Sequence, residues 1–196
     1  LKPPAGAGAR STYRVENENA LRQALAVERP SAAQPVLLEE FMTGREFSFD
    51  SVVVDGVPVW HSFSHYHPSP LEVLENPWIQ WCVLLPRRID DASYDRVRTL
   101  TAGAVKALGL RTGMSHLEWF LRPNGDVAIS EVGARPPGAQ LTSLVSYAHD
   151  FDFYRGWAQL VTHGTFDPPE RRYAVAAVYL RGQGGARVAA VHGLDQ

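Results

Sequence analysis

The stretch His116-Leu117-Glu118-Trp119-Phe120-Leu121-Arg122-Pro123-Asn124-Gly125-Asp126-Val127-Ala128-Ile129-Ser130-Glu131-Val132-Gly133-Ala134-Arg135-Pro136-Pro137-Gly138 decides how the chain is read. Asn124-Gly125 between two apolar-rich runs is a two-residue hairpin signal, because both residues tolerate the positive φ that such a turn requires. Pairing outward from that turn sets Pro123 opposite Asp126, Phe120 opposite Ile129 and Glu118 opposite Glu131. The two-residue period then puts both glutamates on one face. Two carboxylates with Cβ atoms about 5 Å apart destabilise a sheet unless a positive charge lies between them. A divalent cation answers that need, and Mg²⁺ is the natural one, since it binds through one or two carboxylates with phosphate oxygens and water. The other reading of the hairpin alone is a solvated pair of glutamates on an exposed face.

Composition narrows the setting. The chain has 196 residues, of which 45% are hydrophobic, enough to bury a core in one domain or two small lobes. Nineteen basic and twenty-one acidic residues give a net charge of −2 without long blocks, so there is no basic footprint for nucleic acid or anionic membrane. Small-molecule partners are expected. The single cysteine, Cys82, lies in an apolar run and reads as a buried structural thiol in a reducing, cytoplasmic compartment. No apolar run is long enough to span a bilayer. The first residue is not methionine and the last residues follow directly on a strand-like run, so the chain reads as a fragment of a longer polypeptide.

In chain order, Leu1 to Pro3 reads as a strand tail, followed by a small-residue loop and a short strand from Tyr13 to Val15. A helix is expected over Glu18 to Val27, with Asn17 as its cap. Strands are expected over Val36 to Phe41, Glu46 to Val54 and Val57 to Tyr66, the last two joined by Asp55-Gly56. A helical turn near Leu71 to Leu74 and a strand from Trp78 to Leu85 precede a helix over Ser93 to Leu108. That helix carries Tyr94, Val97, Leu100, Ala104, Val105 and Leu108 on one side. Beyond the hairpin come helices over Gln140 to Ala148 and Phe151 to His163, then strands over Tyr173 to Leu180 and Arg187 to Val191. Hairpins separated by helices, without a regular βαβ alternation, indicate an α+β fold.

Three further groups carry chemistry. Lys2 precedes the loop Gly6-Ala7-Gly8, where a cation and exposed amides suit phosphate oxygens, although such a loop is also an ordinary turn. Glu39-Glu40-Phe41-Met42-Thr43-Gly44-Arg45-Glu46 is a strand entering a tight turn. Its backbone can read an adenine edge, with an acid positioned for ribose hydroxyls; it is equally an acidic surface turn. Arg135 follows Glu131 through Gly133-Ala134. It can either stabilise a transferred phosphoryl group or form a salt bridge with one of the acids. His65 and His67 share a strand face but lack a third nearby ligand, which favours a structural or substrate-facing role.

Taken together, Lys2-Pro3 with its glycine loop, the run Glu39 to Ser48, and Glu118 thirteen residues before Glu131-Val132-Gly133-Ala134-Arg135-Pro136 resemble the ATP-grasp superfamily. The resemblance covers roughly residues 1 to 165. It implies an ATP-grasp fold with a partial lid lobe at 1–42, a larger antiparallel-sheet lobe with flanking helices at 43–166, and C-terminal strands at 167–196. It also implies ATP and Mg²⁺ as cofactors. Lys2 and the Gly6, Ala7, Gly8 loop would meet phosphates, Glu39, Glu40 and Met42 the adenine, Glu46 the ribose, and Glu118 and Glu131 the Mg²⁺. Arg135 would serve phosphoryl transfer. The implied activity phosphorylates a carboxylate, releases ADP and lets an amine attack the acyl phosphate.

The chain departs from the family at two positions. Many members carry asparagine two residues after the second acid, where this chain has Gly133, which bears on a second metal more than on ATP. Several ligases carry arginine two residues before the first acid, where this chain has His116, neutral near pH 7 at its ordinary pKa. The alternatives to a ligase are a nucleotide-binding module without turnover and an Mg²⁺-dependent phosphohydrolase.

Overall fold

The computed structural model describes residues 1–4, 11–182, 184–185 and 187–193. The chain divides into two compact units, Leu1–Thr43 and Gly44–Gln196.

In the first unit the helix α1 spans Glu18–Glu28, and the Asn17 side chain accepts from the Ala20 amide as its cap. The expected strands over Val36 to Phe41 and Tyr13 to Val15 reduce to a single antiparallel bridge, Lys2 with Leu37, beside backbone bonds between Leu1 and Tyr13. Pro35 donates no hydrogen bond, and among the described residues the unit offers no longer partner strand for a continuous ladder.

The second unit is one six-stranded antiparallel sheet, made of β1 (Arg45–Val54), β2 (Val57–His67), β3 (Trp81–Leu85), β4 (Gly113–Leu121), β5 (Val127–Gly133) and β6 (Val175–Tyr179). The spatial order is β5-β4-β1-β2-β3-β6. Asp55 and Gly56 both take positive φ, 49° and 81°, so β1 and β2 join through the expected two-residue turn. Helices α2 (Pro70–Glu75), α3 (Asp95–Ala107), α4 (Leu141–His149) and α5 (Phe153–His163) flank the sheet.

Each face of the sheet has its own core. Val52, Trp60, Val83, Leu85 and Met114 pack with Leu141, Val145, Phe153 and Leu160 from α4 and α5. Phe47, Phe49, Phe63, Leu117 and Trp119 pack with Val97 from α3. The buried stripe of α3 is Val97, Thr101 and Val105, whereas Leu100 and Leu108 face outward, 37% and 67% exposed. Spacing of four set that stripe and left Leu100 and Leu108 off it. Cys82 is half-buried rather than fully buried, because α3 packs near β4 and β5 and leaves the β3–β6 end of that face open. Residues 187–191, expected as a strand, pair with nothing among the described residues.

The β4–β5 hairpin differs from the two-residue turn expected for it. The Arg122 amide donates to Asp126 O (2.8 Å) and the Gly125 amide to Arg122 O (2.9 Å), leaving a three-residue loop of Pro123, Asn124 and Gly125. Only Gly125 takes positive φ, at 83°. Proline suits the first central position of the turn, and the Asn124 side chain closes it by accepting from the Asp126 amide at 3.0 Å. Near the loop the register is therefore one residue off the expected one, with Phe120 opposite Ala128 and Trp119 opposite Ile129. A bulge between Glu118 and Trp119 absorbs Ser130, whose hydroxyl donates to Glu118 O at 3.2 Å. Beyond it Glu118 lies opposite Glu131, as the sequence reading expected.

Candidate active site

The face that α4 and α5 cover at one end is polar at the other. Along β1 the period of two puts Glu46, Ser48, Asp50 and Val52 on this face. Their β4 partners are Phe120, Glu118, His116 and Met114. Ser64 and Ser62 on β2 continue the rows of Ser48 and Asp50, and Glu131 and Gly133 on β5 continue those of Glu118 and His116.

Three carboxylates, Glu46, Glu118 and Glu131, gather at the polar end. Burial, then the charges of Glu118 and Glu131, push the Glu46 carboxyl from its ordinary value near 4.5 up to about 8. The folded chain thus retains a proton that the unfolded chain releases, and stability falls as pH rises from about 4.5 to about 8. Glu46→Gln is expected to flatten that slope. After allowance for partial exposure, it should stabilise the protein at pH 7 by about 1–2 kcal/mol, read in melts across that window.

Next to the acids, His116 Nδ1 lies 2.7 Å from Asp50 Oδ1 and its Nε2 3.8 Å from Glu118 Oε1. Burial by itself would lower His116, but the charge and hydrogen bond of Asp50, followed by those of Glu118, raise it to about 10. The histidine is therefore an imidazolium at neutral pH, contrary to the expectation from its ordinary pKa. Asp50 causes this, and the sequence reading did not single it out. Its signal was present as the alternation Glu46, Ser48, Asp50 within an expected strand.

Arg135 is exposed and donates to Pro136 O at 3.1 Å; among the described residues it forms no ion pair with either acid. Its side chain folds back over Gly133, where an added Cβ would lie 3.4 Å from Arg135 Cγ and Nε. That separation is ordinary van der Waals contact with a flexible side chain, so a small residue at 133 would also leave the arginine its place.

In the first unit Lys2 Nζ lies 2.7 Å from Glu39 Oε2. Glu40 is exposed and Met42 half-buried, and the Arg14 guanidinium stacks over Phe41 at 4.5 Å. Gly6, Ala7 and Gly8 lie outside the described residues. His65 is held by Tyr94, Nε2 to hydroxyl at 2.8 Å, and burial, with His67 and Arg45, lowers it to about 4, which makes it a neutral structural ring.

Among the described residues no three His, Cys, Asp or Glu side chains group closely enough to hold a metal by themselves. Glu118 and Glu131 supply two hard oxygen donors, the number Mg²⁺ takes from protein when phosphate oxygens and water complete its shell. The donor set fits Mg²⁺ arriving with a nucleotide rather than a preformed cage.

Comparison with known proteins gives the family and the fold. The family model of the ATP-grasp domain matches residues 1–143, and the chain belongs to that family. Among solved structures it is similar to an L-amino acid ligase from Bacillus licheniformis, at 23% identity and TM-score 0.60 over 75% of this chain and 35% of that one. It is also similar to a carboxyaminoimidazole ribonucleotide synthase from Aspergillus clavatus complexed with ATP, at 16% identity and TM-score 0.67 over 87% and 42%. A biotin carboxylase from Campylobacter jejuni in a β,γ-ATP complex matches at 16% and 0.57 over 88% and 39%. At these identities the likeness is one of fold. The chain spans about two fifths of the length of these proteins. Among the described residues no helix is long and apolar enough to cross a membrane.

Proposed function

We propose that this chain carries part of the active site of an ADP-forming, ATP- and Mg²⁺-dependent ligase that joins a small-molecule carboxylate to an amine through an acyl phosphate. The observation that carries this reading is the gathering of Glu46, Glu118 and Glu131 at one end of a sheet face, with the His116 imidazolium next to Glu118 and Arg135 folded against Gly133, two residues beyond Glu131. In this reading Glu118 and Glu131 hold Mg²⁺, which when bound neutralises charge on the nucleotide phosphates. Arg135 and His116 stabilise the oxygens of the transferred phosphoryl group. Glu46 takes the ribose hydroxyls, Glu39, Glu40 and Met42 the adenine, and Lys2 with Gly6, Ala7 and Gly8 the phosphates.

The division at Thr43/Gly44 supports a lid lobe over 1–42 and a large lobe over 43–166, with 167–196 added at the sheet edge. The free thiol of Cys82 supports a cytoplasmic setting.

The test follows ADP, AMP and phosphate separately while the full chain is incubated with Mg²⁺-ATP and panels of carboxylates and amines. ADP and phosphate formed only with both acceptors are expected. AMP and pyrophosphate would overturn the acyl-phosphate step, and acceptor-independent phosphate release would indicate a phosphohydrolase. Tight ATP binding without turnover would indicate a nucleotide-binding module.

A further inference from the structure

Beyond His116 the polar face continues to an arginine that the acid site leaves unused. Arg171 precedes β6, and its Nη2 donates to Ser62 Oγ at 2.5 Å. Among the described residues its buried Nε and Nη1 have no hydrogen-bond partner and it forms no salt bridge. Beneath it, Asp50, Ser48, Ser62 and Ser64 have no exposed surface. Asp50 Oδ1 accepts from His116 Nδ1 and the Tyr66 hydroxyl bonds with Ser48, while Asp50 Oδ2 and Ser64 Oγ have no partner among the described residues. Each such group costs free energy unless something absent from the bare chain completes it, so three open donors on one face, Arg171 Nε and Nη1 and the Ser64 hydroxyl, mark a place where an acceptor group binds. Burial lowers Arg171 to about 10 against the opposing pull of Asp50, so it remains a cation at neutral pH.

The position of Arg171 indicates what kind of group binds there. Ser62 pairs with Asp50 and Asp50 with His116, two residues from Glu118. Two strand spacings and one two-residue step separate Arg171's anchor from the acid pair by roughly 12 Å. That is too far for the reacting carboxylate, yet within the reach of one small bifunctional acid or of two small substrates meeting. A guanidinium with free N–H groups, beside serine hydroxyls that can donate, matches a carboxylate.

We propose that Arg171 and the serine floor beneath it form a subsite for a non-reacting carboxylate, borne either by the acid that is activated or by the amine that attacks. This assignment rests on the ligase reading for the words donor and acceptor, but not for the binding itself.

The experiment follows the ¹⁵N–¹H resonance of Arg171 Nε in the full chain, assigned by its loss in Arg171→Lys, with and without Mg²⁺-ATP. Succinate probes the donor, glycine the acceptor, and succinamide and glycinamide serve as counterparts without a carboxylate. Succinate or glycine is expected to move the resonance, and the amides to leave it in place. Arg171→Gln should bind the responding carboxylate roughly 10–100-fold more weakly with unchanged Mg²⁺-ATP affinity. If Arg171→Gln does not fold, Arg171→Lys keeps the charge without the planar fork and should still weaken binding roughly tenfold. A resonance that no carboxylate moves, or equal affinity in both variants, overturns the subsite and leaves buried water to satisfy the arginine. Carboxylate binding that persists where ATP does not bind would strike the ligase reading and leave the subsite standing.

Discussion

Replacing Glu131 by glutamine is expected to weaken Mg²⁺-dependent nucleotide binding by roughly 10–100-fold and to lower turnover by roughly 100–1,000-fold. The fold should not suffer. Glu131 is exposed and lies directly opposite Glu118, so the change removes a like-charge cross-strand pair. Unchanged or slightly higher thermal stability together with weaker Mg²⁺-ATP binding is therefore the signature of a ligand residue. The same variant removes one of the charges that raise Glu46, so the carboxyl of Glu46 should titrate lower in the variant. Titration calorimetry of ATP at several Mg²⁺ concentrations, alongside melting curves, reads both effects. Binding that keeps its Mg²⁺ dependence in Glu131→Gln would remove the metal assignment.

Gly44→Ala is expected to be the most damaging single-methyl change to the fold. Gly44 has φ of +139°, and a Cβ there would lie 2.3 Å from Leu121 O and 2.9 Å from its carbonyl carbon. Both atoms belong to the backbone where β1 meets β4, with Arg45 paired to Leu121, so no side chain can turn aside. Strain and forced separation of the strands together should cost about 2–5 kcal/mol and lower the melting temperature by roughly 5–15 °C. Gly103→Ala is the control, since it lies in the exposed part of α3 with nothing within 4 Å of an added Cβ. It should stabilise by about 0.5–1 kcal/mol through helix propensity. Equal effects of the two substitutions would show that the close approach at Gly44 does not govern stability.

Much of the second unit was legible because its signals are local. Strand-forming runs on either side of the Asp55-Gly56 turn located β1 and β2, and the apolar spacing located α3. The first unit was less legible, since a strand such as the one expected over Val36 to Phe41 exists only where a partner is available. The same limit applies within the site. Alternation along β1 put Asp50 on the face of Glu46, but its partnership with His116, sixty-six residues away, depends on β1 lying beside β4. Arg171 has no local signal, because it is placed by the connection between α5 and β6.

The opposition of Glu118 and Glu131 separates what the two levels decide. The sequence by itself determined that a hairpin carries two acids and an arginine, that polar residues alternate along β1, and that these motifs occur in ATP-grasp order. These are properties of neighbouring residues, set by turn chemistry and strand period. Only the tertiary structure decided how the acids come to face each other. Pro123 lengthens the turn by one residue, and Ser130 forms a bulge that restores the register before the acids are reached. Without that bulge Glu118 would face Ser130 and Glu131 would turn to the opposite side, because a one-residue slip reverses every side chain of a strand. The charge on His116 and the open donors of Arg171 were likewise decided by packing, since burial and partners from distant strands set both.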